Sequence, residues 1–399
     1  MPFDDIGSKY YPEPGILPSA PFPITNIRRI SPSLFSVFNS CKLKGIWVSN
    51  YMPSLLPLPP NLHIGNVVHK TLQLSNLGLI NDKREFDVTW TQLIHHEEEK
   101  MSSNWLERSL VPLSKTCNDY EVKKKFIEKS ILESTHNVGE KDGLTIDSSN
   151  EKIYDGNRNG LFEKWIESED GILGGYVDAI VPEPEGDILI DYKTGKIFEN
   201  EDVKTGIKDD YLFQLRLYAA LYHENYHRWP YKIEIRSFGE LICQIDVDQK
   251  ECLKAFDDAI SLFKTTNALI TESTEGTSGG RIDRLSNPSP KNCRYCQFRP
   301  LCKAYWAAKQ QRSEEEWPFD VKGKVLENTL LKNGKILLKI IPPDPGAEPI
   351  FIKSVQPDRH PFIGSIGDNV MICSLRPERH SKNFQEGELT IFYLIGKDK

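Results

Sequence analysis

The sequence predicts an α/β protein, a mixed sheet flanked by helices, followed by a small C-terminal all-β barrel. Three observations predict it. Strand-like runs between residues 161 and 246 enclose one strong amphipathic helix. Helical patterns stand both before and after that block. From about residue 317, five short alternating runs are separated by turn residues: "DVKGKVLENTLL", "KILLKIIP", "PIFIKSV", "NVMICSL" and "LTIFYLI".

In chain order, residues 1–30 are Pro-rich and read as a loose arm. "SPSLFSVFNSCKLKGIWV" is helical in pattern, with Ser31 at the cap and Pro32 at the first turn. "LHIGNVVHKTLQLSNLG" is a second amphipathic helix. Residues 91–160 are polar and poorly periodic, with helical pieces near 105–113 and 120–132 and a loop over 136–160, and read as an insertion. "LFEKWIES", "ILGGYVDAIV" and "DILIDYK" read as strands, 199–210 as a loop and 210–227 as a helix. "YKIEIRSFGELICQIDV" reads as a hairpin turning at "SFGE", and "QKECLKAFDDAISLFKTTNALI" as a helix. Ser273–Gly280 reads as an exposed polar stretch.

The net charge of −7 gives no global basic footprint, so any nucleic-acid surface must be local. No apolar run reaches the roughly 18–20 residues that span a bilayer, and no signal-peptide pattern opens the chain. A cytoplasmic location is expected. The eight cysteines should then be reduced, and clustered ones point to a metal or cofactor rather than disulfides.

The chemistry concentrates in "GGYVDAIVPEPEGDILIDYKTGK", residues 174–196. Strand interiors disfavour aspartate, yet Asp178 and Asp191 each sit inside one of two neighbouring strands. An antiparallel pairing can bring the two carboxylates together, where they repel unless a cation intervenes. Hard oxygen ligands suit Mg²⁺ or Mn²⁺. Lys193 shares the side-chain parity of Asp191, so its ammonium would lie beside that cation.

"GGYVDAIV…GDILIDYKTGK" resembles the core of the PD-(D/E)XK nuclease superfamily, in its RecB-like branch. The resemblance implies a restriction-endonuclease-like sheet in which Asp178 and Asp191 bind metal and Lys193 is catalytic. It also implies that the Tyr192 backbone carbonyl is a metal ligand. Two further marks of the branch stand in order. "GNVVH" places His69 on an upstream helix as a metal ligand. "QLRLY" places Gln214 and Tyr218 four apart on one downstream helix face, aimed at the lysine and the DNA backbone. Glu163, one strand earlier, is a candidate accessory acid.

"CRYCQFRPLC" holds Cys293, Cys296 and Cys302, three thiols that can occupy three positions on a metal or an iron–sulfur cluster. No fourth ligand is local. The iron–sulfur nucleases of the same branch, CRISPR-associated RecB-like exonucleases and AddB-type nuclease domains, carry one cysteine before the histidine motif and three near the domain's end. Cys41 matches the first. The resemblance implies a 4Fe–4S cluster stapling a nuclease domain over residues 31–312, with zinc on the same thiolates as the alternative.

The resulting expectation is a metal-dependent DNA nuclease, an exonuclease on single-stranded or flapped DNA. The rivals are a non-cleaving scaffold subunit and an RNase or endonuclease on the same core. Lys124, Lys125, Lys193, Lys196, Arg216, Arg294, Tyr295 and Arg299 are candidates to guide the strand. The tail, 317–399, resembles an OB-like barrel that could stack bases on Phe351, Phe362 and Phe392 beside Arg359, Arg376 and Arg379. It could instead dock a helicase or other protein partner, because no P-loop is visible in the chain.

Overall fold

A computed structural model describes residues 13–18, 21–136, 160–200, 205–237, 241–275, 284–379 and 383–396. Most of the expected 136–160 loop, the "SFGE" turn beyond Ser237 and most of the 273–280 stretch lie outside the described residues.

Two short helices come first, α1 (Pro32–Ser40) and α2 (Lys42–Ser49). The sequence pattern reads as one helix, but Cys41 between them is extended, at φ −158°. Ser31 occupies the cap position without making a side-chain cap bond. The preceding segment is not loose where it is described: Phe22, Ile27 and Ile30 are buried in the main core.

α3 (Pro60–Asn76), α4 (Lys83–Ser103), α5 (Leu113–Thr116) and α6 (Tyr120–His136) follow. They share a core of their own, built from Ile64, Val68, Phe86, Trp90, Ile94, Met101, Ile127 and Ile131 among others. Where it is described, the polar stretch after residue 90 is therefore largely helical. On α4 the apolar Phe86, Trp90, Ile94 and Met101 fall on one stripe, which is enough to seat an otherwise charged helix.

The central sheet has five strands: β1 (Leu161–Glu167), β2 (Gly174–Val181), β3 (Ile188–Lys193), and then β6 and β7 further on. β4 (Phe198–Asn200) and β5 (Thr205–Ile207) form a small separate ladder where the sequence reads as loop. α7 (Asp209–Tyr226) crosses over, so that β6 (Lys232–Ser237) runs parallel to β3. β7 (Leu241–Asp246) closes the sheet antiparallel to β6, in the order β1-β2-β3-β6-β7. α8 (Gln249–Glu275) packs on α7, and the short α9 (Pro290–Cys293) leads through the cysteine loop to α10 (Lys303–Gln311).

The five expected tail strands are present as β8 (Val321–Leu330), β9 (Ile336–Ile341), β10 (Ile350–Val355), β11 (Asn369–Cys373) and β14 (Ile391–Leu394). Two-residue strands β12 (Arg376–Pro377) and β13 (Phe384–Gln385) complete a seven-stranded sheet, β12-β13-β10-β9-β8-β11-β14. It curls into a half-barrel and stays open, with no pairing of β12 to β14 among the described residues. The cause lies in β14. Phe392 and Leu394 bury in the tail's own core, while Ile391 and Tyr393 bury in the main core. The free edge of β14 is taken by the N-terminal segment: Leu17 N–H donates to Leu394 O at 3.1 Å and Leu394 N–H to Gly15 O at 2.8 Å. No helix among the described residues is long and apolar enough to cross a membrane.

Candidate active site

β2 and β3 pair at Ala179↔Ile190, Ile180↔Leu189 and Val181↔Ile188. Asp178 and Asp191 are the next residues on the two strands, just where the ladder ends. There Asp178 Oδ2 accepts from the Tyr192 backbone N–H at 2.7 Å. The acids thus stand at the fork of two strands. A third acid extends the row. The β1–β2 register passes from Phe162↔Ala179 to Lys164↔Val177, so Glu163 lies opposite Asp178. Glu163 sits at φ 48°, a left-handed conformation that a non-glycine residue seldom adopts and that interrupts β1 at this point. Burial raises its carboxyl, with Lys70 acting against the rise.

Lys193 Nζ lies 2.7 Å from Asp191 Oδ2, as the shared parity implies. Gln214 on α7 ties the two together. Its Nε2 donates to Asp191 Oδ1 at 3.1 Å and its Oε1 accepts from Lys193 Nζ at 3.2 Å. The amide orientation is forced, because a carboxylate only accepts and an ammonium only donates. Tyr218, one turn on, does not reach the lysine. Its hydroxyl donates to the Tyr176 carbonyl at 2.8 Å, and Gly175 leaves it room, since a Cβ there would meet Tyr218 Oη at 3.3 Å.

His69 comes from the other side, on α3, with Nδ1 3.8 Å from Asp178 Oδ2. Burial lowers its pKa, which favours the neutral, ligating form. Gly65 on the same helix abuts the strand end: a Cβ there would lie 3.2 Å from Thr194 Oγ1. That contact supplies a physical reason for a glycine four residues before the histidine. The spacing alone did not reveal its partner.

Burial pushes both Asp178 and Asp191 up to about 6, with the Lys193 charge opposing the rise at each. Asp191 Oδ2 is fully buried and accepts no well-aligned hydrogen bond despite the nearby ammonium. Carboxylate oxygens, among them the buried Asp191 Oδ2, and an imidazole form a donor set that suits a hard divalent cation. The set is not drawn into a closed shell: among the described residues no three acidic, histidine or cysteine side chains are gathered tightly enough to hold an ion as they stand.

The four candidate cysteines line one cavity. Cys41 from the α1–α2 break faces Cys293, Cys296 and Cys302, with Lys44, Trp47, Arg299 and Tyr305 completing the wall. Hydrogen bonds already join the two ends of this region: Asn292 Nδ2 donates to Ser40 O at 3.0 Å and Leu43 N–H to Leu285 O at 2.8 Å. Burial raises the Cys293 and Cys302 thiols to about 11 and about 12, and raises Cys296 as well. Bare thiols here would stay protonated, so a bound cation would have to displace their protons.

Several candidate strand guides are committed elsewhere. Arg299 is buried and paired with Asp320 at 2.6 Å. Lys124 pairs with Asp87 at 2.9 Å and Arg216 with Glu251 at 3.2 Å. In the tail, Phe392 is 1% exposed and cannot stack a base, and Arg359 is bound to Glu386 at 2.5 Å. Tyr295 does stand out, at 75% exposure.

A mixed sheet between helices thus holds two acids and a lysine at a strand fork. A family model for the PD-(D/E)XK nuclease superfamily matches residues 29–303, about two thirds of the chain, and the chain belongs to that superfamily. Its members are typically metal-dependent phosphodiesterases, and the superfamily implies a nucleic-acid substrate. Comparison with curated proteins finds no match.

Proposed function

We propose that this chain is a Mg²⁺- or Mn²⁺-dependent DNA nuclease of the RecB-like kind, acting on single-stranded or flapped DNA as an exonuclease. The observation that carries the reading is the fork itself: Asp178 bonded to the Tyr192 N–H at 2.7 Å, with Lys193 held 2.7 Å from Asp191. Asp178, Asp191, His69 and the Tyr192 carbonyl would hold the cation. When bound, it supplies charge neutralisation for the acids and Lewis-acid assistance at the scissile phosphate. Lys193 offers its ammonium to the charge that develops on the phosphate, in a site where buried electrostatics count for more than in water. Gln214 bonds that ammonium and Asp191 at once and holds the two in place together. Tyr218 acts at one remove, fixing the backbone of β2 ahead of Asp178.

The four-cysteine cavity is read as the seat of a structural 4Fe–4S cluster joining α1–α2 to the loop after α9. Its support is the convergence of one remote and three clustered thiols on a single cavity.

Labelled single-stranded DNA, duplex DNA, flapped DNA and RNA, each with and without Mn²⁺, test the activity. Metal-dependent loss of the DNA strands that Asp191→Ala and Lys193→Ala abolish is the expected result. Cleavage of RNA alone, or equal cleavage by the variants, overturns it. Anaerobically purified protein should be brown and carry about four irons per chain; a colourless protein with one zinc overturns the cluster.

A further inference from the structure

We propose that Tyr176 and Trp165 form a base-stacking platform for a single nucleic-acid strand beside the acid fork. This deepens the nuclease reading above and rests on it. Trp165 and Tyr176 face each other directly across β1 and β2. They stand two residues along the strands from the Glu163–Asp178 position, about 7 Å away. Their rings meet edge to face, with centroids 4.8 Å apart at 67°.

The pair is built rather than incidental. Gly174 gives the indole its seat, since a Cβ there would lie 2.9 Å from the Trp165 ring. Arg29 covers Trp165, with its guanidinium carbon 4.6 Å from the ring centroid. Arg29 is itself held by Glu167 at 2.9 Å and by the Gly171 carbonyl at 2.9 Å. The Tyr218 hydroxyl fixes the Tyr176 backbone from the opposite side of the sheet. With all this support, Tyr176 remains 57% exposed. The sheet face it occupies is opposite α7, because its neighbour Gly175 points at Tyr218.

A rigid exposed ring next to a phosphodiester-cleaving site has one natural partner among nucleic acids. Every base offers a π-face, and stacking on an aromatic side chain tolerates any sequence. In a duplex those faces are already covered by neighbouring bases, so the platform selects an unpaired strand. Trp165 with its Arg29 cover acts as the buttress, and Tyr176 makes the contact.

The test compares short oligo(dT) with an abasic sugar–phosphate oligomer of equal length and charge. Binding is read by fluorescence anisotropy without divalent metal, and cleavage of both is read with Mn²⁺ in the same preparations. The wild-type chain should prefer oligo(dT). Tyr176→Ala should weaken oligo(dT) binding roughly 5- to 150-fold, the value of one stacked base, while leaving the abasic oligomer unchanged. Tyr176→Phe, which keeps the ring, should retain the preference. No preference in the wild type, or equal weakening of both oligomers by Tyr176→Ala, overturns the platform while metal-dependent cleavage persists. Loss of that cleavage in the wild type would instead remove the nuclease reading, and the platform with it.

Discussion

Gln214 donates to Asp191 Oδ1 at 3.1 Å while its other amide atom accepts from Lys193, so one uncharged side chain fixes an acid and a base together. Gln214→Ala should fold normally and lose cleavage by about 10²-fold, the scale of a mispositioned reacting group. Steady-state cleavage alongside a melting curve checks this. Wild-type rates in Gln214→Ala would show that the pairing is idle.

The two acids set a pH dependence. Their folded values near 6 exceed the ordinary carboxyl value of about 4. The folded chain therefore holds these protons more tightly than the unfolded chain. The stability they contribute is fullest in acid and is lost as the pH rises from about 4 to about 6. A divalent cation binds only the deprotonated carboxylates. Added Mg²⁺ should raise the melting temperature clearly at pH 7.5, little at pH 5, and not at all in Asp191→Asn. Thermal scans across that range decide it, and an equal shift at both pH values would contradict the assignment.

Gly65→Ala separates stability from activity. Alanine favours a helix interior by about 1 kcal/mol over glycine. Here its Cβ would press on Thr194 Oγ1 at 3.2 Å, so that either Thr194 or α3 must give by a few tenths of an ångström. The variant should melt no lower than the wild type yet cleave more slowly, because His69 rides on the same helix. Unchanged cleavage would mean that the helix yields at no functional cost.

The tail is pinned to the cysteine loop by Arg299 and Asp320. Asp320 also accepts from Tyr305 Oη at 2.9 Å and from the Ser374 N–H at 2.8 Å. Asp320→Ala strands a buried guanidinium and should cost about 3–5 kcal/mol, read as a lower denaturant midpoint. The paired replacement Arg299→Met with Asp320→Leu should recover much of that loss.

Much of the site was legible because its signals are local. Strand parity placed Lys193 beside Asp191, and helix spacing put Gln214 and Tyr218 on one face. What the pattern missed depends on partners distant in the chain. Tyr218 turns to the Tyr176 carbonyl because Gly175 opens a gap there. Nothing in the residue type of Glu163 announces its left-handed backbone. Cys41 breaks a helical pattern that continues in period on both sides of it. β14 reads as a barrel strand, yet all four of its residues are buried. A strand wedged between two cores and a strand closing a barrel look alike in hydropathy. α4 hid because its apolar stripe is narrow among charges.

α3 belongs to two interiors at once. One side carries His69 toward the acids, and the other side belongs to a core whose buried members all lie between Ile64 and Ile131. Those buried members all precede Glu163, Asp178 and Asp191 in the chain, and Tyr192 of β3 packs against them. The histidine is thus delivered by a helical unit that precedes, in the chain, the acids it meets. Trimming the helices behind it to make a smaller nuclease would remove the foundation of the site rather than an ornament.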